Sequence, residues 1–347
     1  MRVYGINYDI GFSSGGTTTH EPFDPDIVRR EMQIISEDLH CDALRITGAD
    51  PDRLETAARH AAEVGLEVWY SPFTNGLTSD ELMELLADGA ERAERLRQEG
   101  ASVVFLTGSE ISLFNSGFVS GDSHVDRLRA LTDPARRTAT LPDARARVNA
   151  FLARAVTEVR ERFGGPVSYA SLPFEGVDWA PFDVIATDAG YRDAANAAGL
   201  REGLRAQTSQ GKPFAVTEFG CAPYRGAANL GARSGEIVEY DEHARPVRLT
   251  ASVVRDEEEQ ARYVRELLKI YDEEGADAAF VYTFARWDLP TSSDPERDFD
   301  IASFGIVKVL EQGTGMTYPG LPWEPKAAFH ALAEYGRARA AGAGRRT

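Results

Sequence analysis

The sequence predicts an α/β fold, a single (β/α)8 (TIM) barrel with extended loops after strands 4 and 7. Three observations predict it. First, two short apolar runs each lead to a glutamate. Val103-Val104-Phe105-Leu106-Thr107-Gly108-Ser109 leads to Glu110, and Pro213-Phe214-Ala215-Val216-Thr217 leads to Glu218. Both are β-branched, uncharged and short, as buried parallel strands are. Second, eight such runs alternate largely with helical patterns, which favours a closed barrel over an open sheet. Third, the 347 residues suit one large barrel with insertions. A carboxylate at the C-terminal end of a buried strand is poorly placed for stability. It is well placed for chemistry in a barrel, whose active site lies at that end.

The strand candidates are residues 3–8, 43–47, 67–71, 102–107, 166–171, 183–187, 213–217 and 279–284. Asp24-Pro25-Asp26 opens a helix through Asp38, and Asp50-Pro51-Asp52 opens one through Val64, each with a capping acid and a proline at the first turn. Ser79-Asp80-Glu81 opens a third, to about Gln98. Further helices are expected near 144–163, 194–209, 256–274 and, from Glu324-Pro325, to about Tyr335. The acids Asp256 to Glu259 suit a helix N-terminus and a solvated face. Insertions at 112–141 and 221–254 follow strands 4 and 7, the second with a hairpin of 236–240 against 246–249. Long loops at catalytic strand ends shape substrate access. One domain over 1–340 is expected, with a disordered tail at 341–347. The competing architecture is a doubly wound sheet, but no glycine-rich dinucleotide fingerprint follows the first strand.

Net charge is −17, which disfavours nucleic acid and anionic membranes as partners. No apolar stretch reaches membrane-spanning length. No signal peptide is visible, since Met1-Arg2 runs straight into the first strand. Cys41 and Cys221 belong at opposite ends of a barrel and should not pair, so a cytoplasmic location is expected. The six histidines lack metal-ligand spacing, so no metal and no cofactor are expected. Oligomeric state is not encoded in any pattern seen here.

Two carboxylates from different strands are what glycoside hydrolysis requires, one to protonate the leaving oxygen and one to attack the anomeric carbon. Thr107-Gly108-Ser109-Glu110 resembles the acid/base motif of clan A glycoside hydrolases, and Val216-Thr217-Glu218-Phe219-Gly220 resembles their nucleophile motif. Leu44-Arg45-Ile46 resembles the second-strand arginine that supports that nucleophile. Phe304-Gly305-Ile306-Val307 with Pro325-Lys326-Ala327-Ala328-Phe329-His330 resembles the closing segment. The resemblance spans nearly the whole chain. It implies retaining hydrolysis of a small or oligomeric glycoside, with Glu110 as acid/base, Glu218 as nucleophile and Arg45 beside it. It also implies Tyr191 touching the nucleophile, and either Phe284 or Trp287 as the aromatic platform at strand 8. Many clan members carry Asn before the acid/base, at the sugar 2-OH; Ser109 stands there here. The stretches Gly5 to Phe12 and Asp38 to Gly48 also resemble actinobacterial proteins labelled abortive infection protein, which implies phage defence.

Each feature has a plainer reading. Either glutamate could be the first solvated residue of a loop, and Arg45 a buried structural ion-pair partner. Trp69, Tyr70 and Phe73 either line a sugar cleft or pack the rim. Asn7, Asp9 and His20 could meet sugar hydroxyls. Asp188 reads as a loop cap and Cys221 as inert. A Schiff-base lyase is poorly supported, since no lysine ends a strand. The sequence therefore points to a carbohydrate-cleaving barrel, with a non-hydrolytic sugar-binding or phage-defence protein as the alternative. Glu110, Glu218 and Arg45 should share one cavity, and Glu110 should titrate above Glu218.

Overall fold

A computed structural model describes residues 1–14 and 16–343. Eight strands form one parallel sheet: β1 (Val3–Asp9), β2 (Ala43–Gly48), β3 (Glu67–Pro72), β4 (Val103–Ser109), β5 (Val167–Ala170), β6 (Ile185–Thr187), β7 (Phe214–Phe219) and β8 (Ala278–Val281). Their order is β5-β4-β3-β2-β1-β8-β7-β6. The ends meet through a parallel bridge between Ser171 and Thr187, which closes the barrel. All eight predicted strands are present. Strand β8 stops at Val281, three residues short of expectation, with consequences for the site.

The helices α1 (Pro25–Glu37), α2 (Pro51–Glu63) and α3 (Ser79–Gln98) start where their caps direct. Asp24 and Asp50 accept first-turn amides ahead of Pro25 and Pro51, and Thr78 forms a capping box with Glu81. Each turns its apolar face onto the sheet, with Met32, Leu54 and Leu86 buried. Inside the barrel, Trp69 and Phe280 fill the lower layer, centroids 4.9 Å apart, among small residues such as Ala43 and Ala215. Gly5 is required there, because a Cβ would lie 2.2 Å from the Ala43 carbonyl oxygen and against the Phe280 ring. Two residues further along β1 and β2, the interior turns polar with Asn7 and Arg45.

The insertion after β4 holds a helical turn α4 (Ile111–Phe114), then α5 (His124–Thr132) and the early part of α6 (Pro134–Arg160). Proline at the first turn starts α6 ten residues before its expected start. Buried Arg127 donates to the carbonyls of Leu113, Phe114 and Gly121 and pins this insertion down. After β7, Val238–Tyr240 pairs with Pro246–Leu249 as the expected hairpin. Its turn reaches across the mouth, where Thr17 Oγ1 donates to the His243 carbonyl at 2.7 Å. Between β5 and β6 there is only a 3-10 turn, Pro173–Glu175.

The helix expected over 194–209 is confined to α7 (Leu200–Thr208), and α8 (Glu257–Glu273) begins behind Asp256 as expected. Glu324-Pro325 does not open a helix. Trp323–Pro325 pairs as a strand with Val307–Val309, and α9 (Ala327–Ala343) follows, continuing past Tyr335. Of the tail expected at 341–347, residues 344–347 lie outside the described residues. Among the described residues no helix is long and apolar enough to cross a membrane. Cys41 and Cys221 are both buried and free.

Candidate active site

The site gathers at the C-terminal strand ends around one fully buried cation. Arg45 Nη1 donates to Asp188 Oδ1 and to Glu218 Oε1, both at 2.9 Å. Its Nη2 donates to Ser109 Oγ at 3.1 Å, and its Nε to Ser71 Oγ at 3.3 Å. Asn7 accepts from Arg45 at 3.2 Å and donates to the Thr217 carbonyl at 2.8 Å. Five of the guanidinium's neighbours thus come from five strands or strand ends, which fixes its plane without freedom. Ser109 Oγ donates to Asp188 Oδ2 at 2.5 Å. Tyr191 donates to Glu218 Oε2 at 3.1 Å. Gly190 allows that reach, since a Cβ there would lie 2.2 Å from Val216.

Glu110 caps α4 in the left-handed region, φ 46° and ψ 39°. Its amide donates to the Ala170 carbonyl, but its carboxyl makes no hydrogen bond among the described residues. One carboxylate oxygen from each of Glu110, Asp188 and Glu218 lies within 4.8 Å of the other two. Among the described residues this is the one carboxylate, thiol or imidazole group spaced to hold a metal ion. Arg45 already supplies countercharge to two of its members.

Three carboxylates face one cation, so one of them must stay protonated. Asp188 and Glu218 hold the ion pairs, and the excess falls on Glu110. Burial, then Asp188 and Glu218, raise the Glu110 pKa well above the carboxylate range. Burial and Asp188 also push Glu218 up, to about 8, while Arg45 and Tyr191 pull it back. Burial and the Glu218 charge raise Tyr191, so its hydroxyl stays a donor.

The other residues singled out in the sequence divide into two sets. Arg45, Asn7, Ser109 and Tyr191 join the glutamates. Asn7 and Ser109 face protein partners rather than open space. Trp69, Phe284 and Trp287 do not join. Trp69 lies in the lower barrel layer, its indole N–H donating to Glu67 Oε1 at 2.8 Å, because its ring fills the space left by small neighbours. Phe284 lies past the end of β8 and packs outward between Tyr8 and Trp323, at 5.9 and 5.3 Å. Trp287 stacks on His20 at 4.5 Å above the loop that follows β1. Tyr282, directly after β8, occupies the strand end instead, within electrostatic reach of Glu218. Asp188 is no loop cap but a buried ligand of Arg45. Its signal was present: it follows the apolar run Ile185-Ala186-Thr187, as the glutamates follow theirs. Cys221 is buried, and burial raises its thiol pKa, which leaves it inert.

The buried acids make stability fall with pH. Burial pushes Asp9 up to about 6, Glu31 to about 7 and Glu218 to about 8. Their ordinary values are 3.8 for Asp9 and 4.5 for the glutamates. In this window the folded chain holds protons that the unfolded chain has released, so raising pH favours unfolding. The Tm should drop by roughly 2–5 °C between pH 5 and pH 8. A Tm that rises across that interval contradicts these raised values.

No family model matches the chain, and no curated protein matches its sequence. Solved structures do match. A GH113 β-1,4-mannanase is 14% identical, with TM-score 0.61 over 97% of this chain and 99% of that one. The GH113 β-mannanase AaManA from Alicyclobacillus acidocaldarius, solved with ManMIm, is 17% identical, with TM-score 0.57 over 97% of both chains. A Parabacteroides merdae β-glucuronidase is 13% identical, with TM-score 0.56 over 96% of this chain and 36% of that one. Abortive-infection proteins have no counterpart among these three. At such identities the likeness shows the fold: this chain has the (β/α)8 barrel found in these glycoside hydrolases.

Proposed function

We propose that the chain is a retaining glycoside hydrolase, with Glu218 as nucleophile and Glu110 as acid/base. The observation that carries this reading is the convergence of both carboxylates, oxygens within 4.8 Å, with Arg45 donating to Glu218 and not to Glu110. Retaining pairs sit about 5–5.5 Å apart, and inverting pairs about 6.5–9.5 Å. Glu218 attacks the anomeric carbon while the glycosidic C–O bond breaks. The leaving oxygen takes the Glu110 proton. Water then attacks the anomeric carbon of the glycosyl ester, gives its proton to Glu110 and releases Glu218 as carboxylate. Arg45 and Tyr191 pull the Glu218 pKa down, so that it ionises ahead of Glu110, which burial and the charges around it hold protonated.

The reading is tested with an aryl β-mannoside and mannooligosaccharides, following the first-formed product by NMR. Retention is expected, and an inverted first product overturns the mechanism. Activity should rise as pH climbs through the Glu218 titration and fall as Glu110 loses its proton. Both limbs should lie above the ordinary carboxylate range, as apparent values of the coupled pair. An acid limb near pH 4 contradicts this site.

We take a neutral β-mannoside as the substrate, supported by the GH113 β-mannanases that share this barrel. A cavity of about 650 Å³ lies under the hairpin, beside Arg286 and Asp288; neither catalytic glutamate lines it. Its two cations are committed: Arg286 to Asp288, at 2.8 and 2.6 Å, and Arg127 to three backbone carbonyls. Asp122, Asp241 and Glu242 add negative charge. A uronate carboxylate that reached this cavity would meet no free cation among its lining residues, and such a substrate should lose about 10-fold or more against the neutral sugar. Equal kcat/KM on matched aryl β-glucuronide and β-mannoside rules this out. In the cytoplasm, where two buried thiols stay reduced, the substrates would be imported oligosaccharides. A sugar-binding protein without turnover is the second reading. The engagement of the Ser109 hydroxyl with Asp188 and Arg45, which uses its one proton within the protein, favours it. Binding of mannooligosaccharides without cleavage would establish it.

A further inference from the structure

A further buried carboxylate lies behind Glu110 and takes no part in the chemistry above. Glu175, in the 3-10 turn after β5, is 1% exposed. Its Oε1 accepts from the Ser112 amide at 3.2 Å and from Ser112 Oγ at 2.6 Å. Its Oε2 accepts from the Leu172 amide at 2.8 Å. The Tyr169 hydroxyl donates to this carboxylate at 2.9 and 3.0 Å, and accepts from the Ile111 amide at 2.9 Å. The two residues after Glu110 therefore have their amides tied to one carboxylate, directly or through Tyr169. These are first-turn amides of α4, which have no partner within the helix.

The tie matters because the Glu110 side chain has no restraint of its own, while its backbone is held by its amide on the Ala170 carbonyl and its carbonyl on the Leu113 and Phe114 amides. Its carboxyl makes no hydrogen bond among the described residues, so its aim follows from where its backbone places it. That backbone is left-handed at φ 46°, a conformation costly for a residue with a side chain. Something must hold it, and the two tied amides are adjacent. We propose that Glu175, acting through Tyr169 and the Ser112 amide, is the positioning residue that aims the Glu110 carboxyl. The proposal deepens the glycosidase reading and rests on it for the role of Glu110. Glu175 also adds negative charge near Glu110. The groups facing Glu110 are Asp188 after β6, Glu218 on β7, Arg45 on β2, Tyr169 on β5, Tyr191 and Glu175 itself.

Glu175→Gln tests this, because an amide cannot accept all four donors that the carboxylate accepts. An alkyl glycoside, with a poor leaving group, should lose about 10–100-fold in kcat, and a 2,4-dinitrophenyl glycoside less than about 3-fold. KM should hardly move. In carboxyl ¹³C NMR with the Glu110 resonance assigned through Glu110→Gln, its titration should shift down by about half a unit or more. The Ile111 and Ser112 amides should exchange at least about 10-fold faster. Tyr169→Phe should speed exchange at Ile111 while leaving the Glu175 charge in place. Both substrates falling alike, with the Glu110 titration and both amides unchanged, overturns the proposal. If the wild type cleaves no glycoside, the glycosidase reading fails. The exchange measurements then still decide whether Glu175 holds the turn that carries Glu110, while the titration reads only the lost charge.

Discussion

Glu218→Ala is expected to lose turnover on every glycoside, by a factor on the order of 10⁴ or more. Glu110→Ala should differ in kind. With a poor leaving group it should lose about 10²–10⁴-fold, and with an activated aryl glycoside its first step should survive far better, since little protonation is needed. Azide separates the roles. In Glu110→Ala it takes the place of activated water at the glycosyl ester, so the glycosyl azide has retained configuration. In Glu218→Ala it fills the space of the lost carboxylate and attacks directly, so the azide is inverted. Opposite stereochemistry for each variant would reverse the assignment of roles. The placement of Arg45 and Tyr191 on Glu218, with none of the described donors on Glu110, is the physical reason for this order.

The second large effect is expected at Arg45, the one cation among three carboxylates. Arg45→Met removes the partner of two buried acids at once. Breaking a buried pair from one side costs about 3–5 kcal/mol, because the remaining charge has no water to return to. Glu218 would then be driven to hold its proton, so activity should fall with it, by about 10³-fold or more. Arg45→Met combined with Asp188→Asn should recover a good part of the stability but none of the activity, since Glu218 still lacks its cation. Urea unfolding checks the first and kcat/KM the second. If Arg45→Met were as stable as the wild type, the cluster would be wetter than the structure shows. If the double variant regained activity, Asp188 rather than Arg45 would set the state of Glu218.

Much of this was legible in one dimension. Apolar runs of barrel-strand length marked all eight strands, and the polar residue after a run marked Glu110 and Glu218. The resemblance of Leu44-Arg45-Ile46 to the second-strand arginine of clan A glycoside hydrolases marked Arg45. Caps with proline behind them placed α1 and α2 to the residue. These signals are local: strand burial, first-turn amides and proline geometry act over a few residues. The same rule held for Asp188, yet an aspartate after a strand reads equally as a turn residue, so its ion pair stayed hidden.

What the tertiary structure alone decided is which ring or carboxylate meets which. Trp69 was read as lining a sugar cleft or packing the rim, but it lies in the lower barrel layer, where its large ring fills the space among small neighbours such as Ala43 and Ala215. Strand β8 ends at Val281, so Tyr282 rather than Phe284 stands at the strand end. Trp323 was read as preceding a helix, but it pairs in a strand and seats its indole on buried Glu31. Glu175 carries no sequence signal, because its partners Ser112 and Tyr169 come from two other elements. The sequence by itself determined the barrel and two carboxylates at its mouth. The closing of the barrel decided the rest, since the charge state of Glu110 depends on Asp188, Glu218, Glu175 and Arg45 arriving from four different places in the chain.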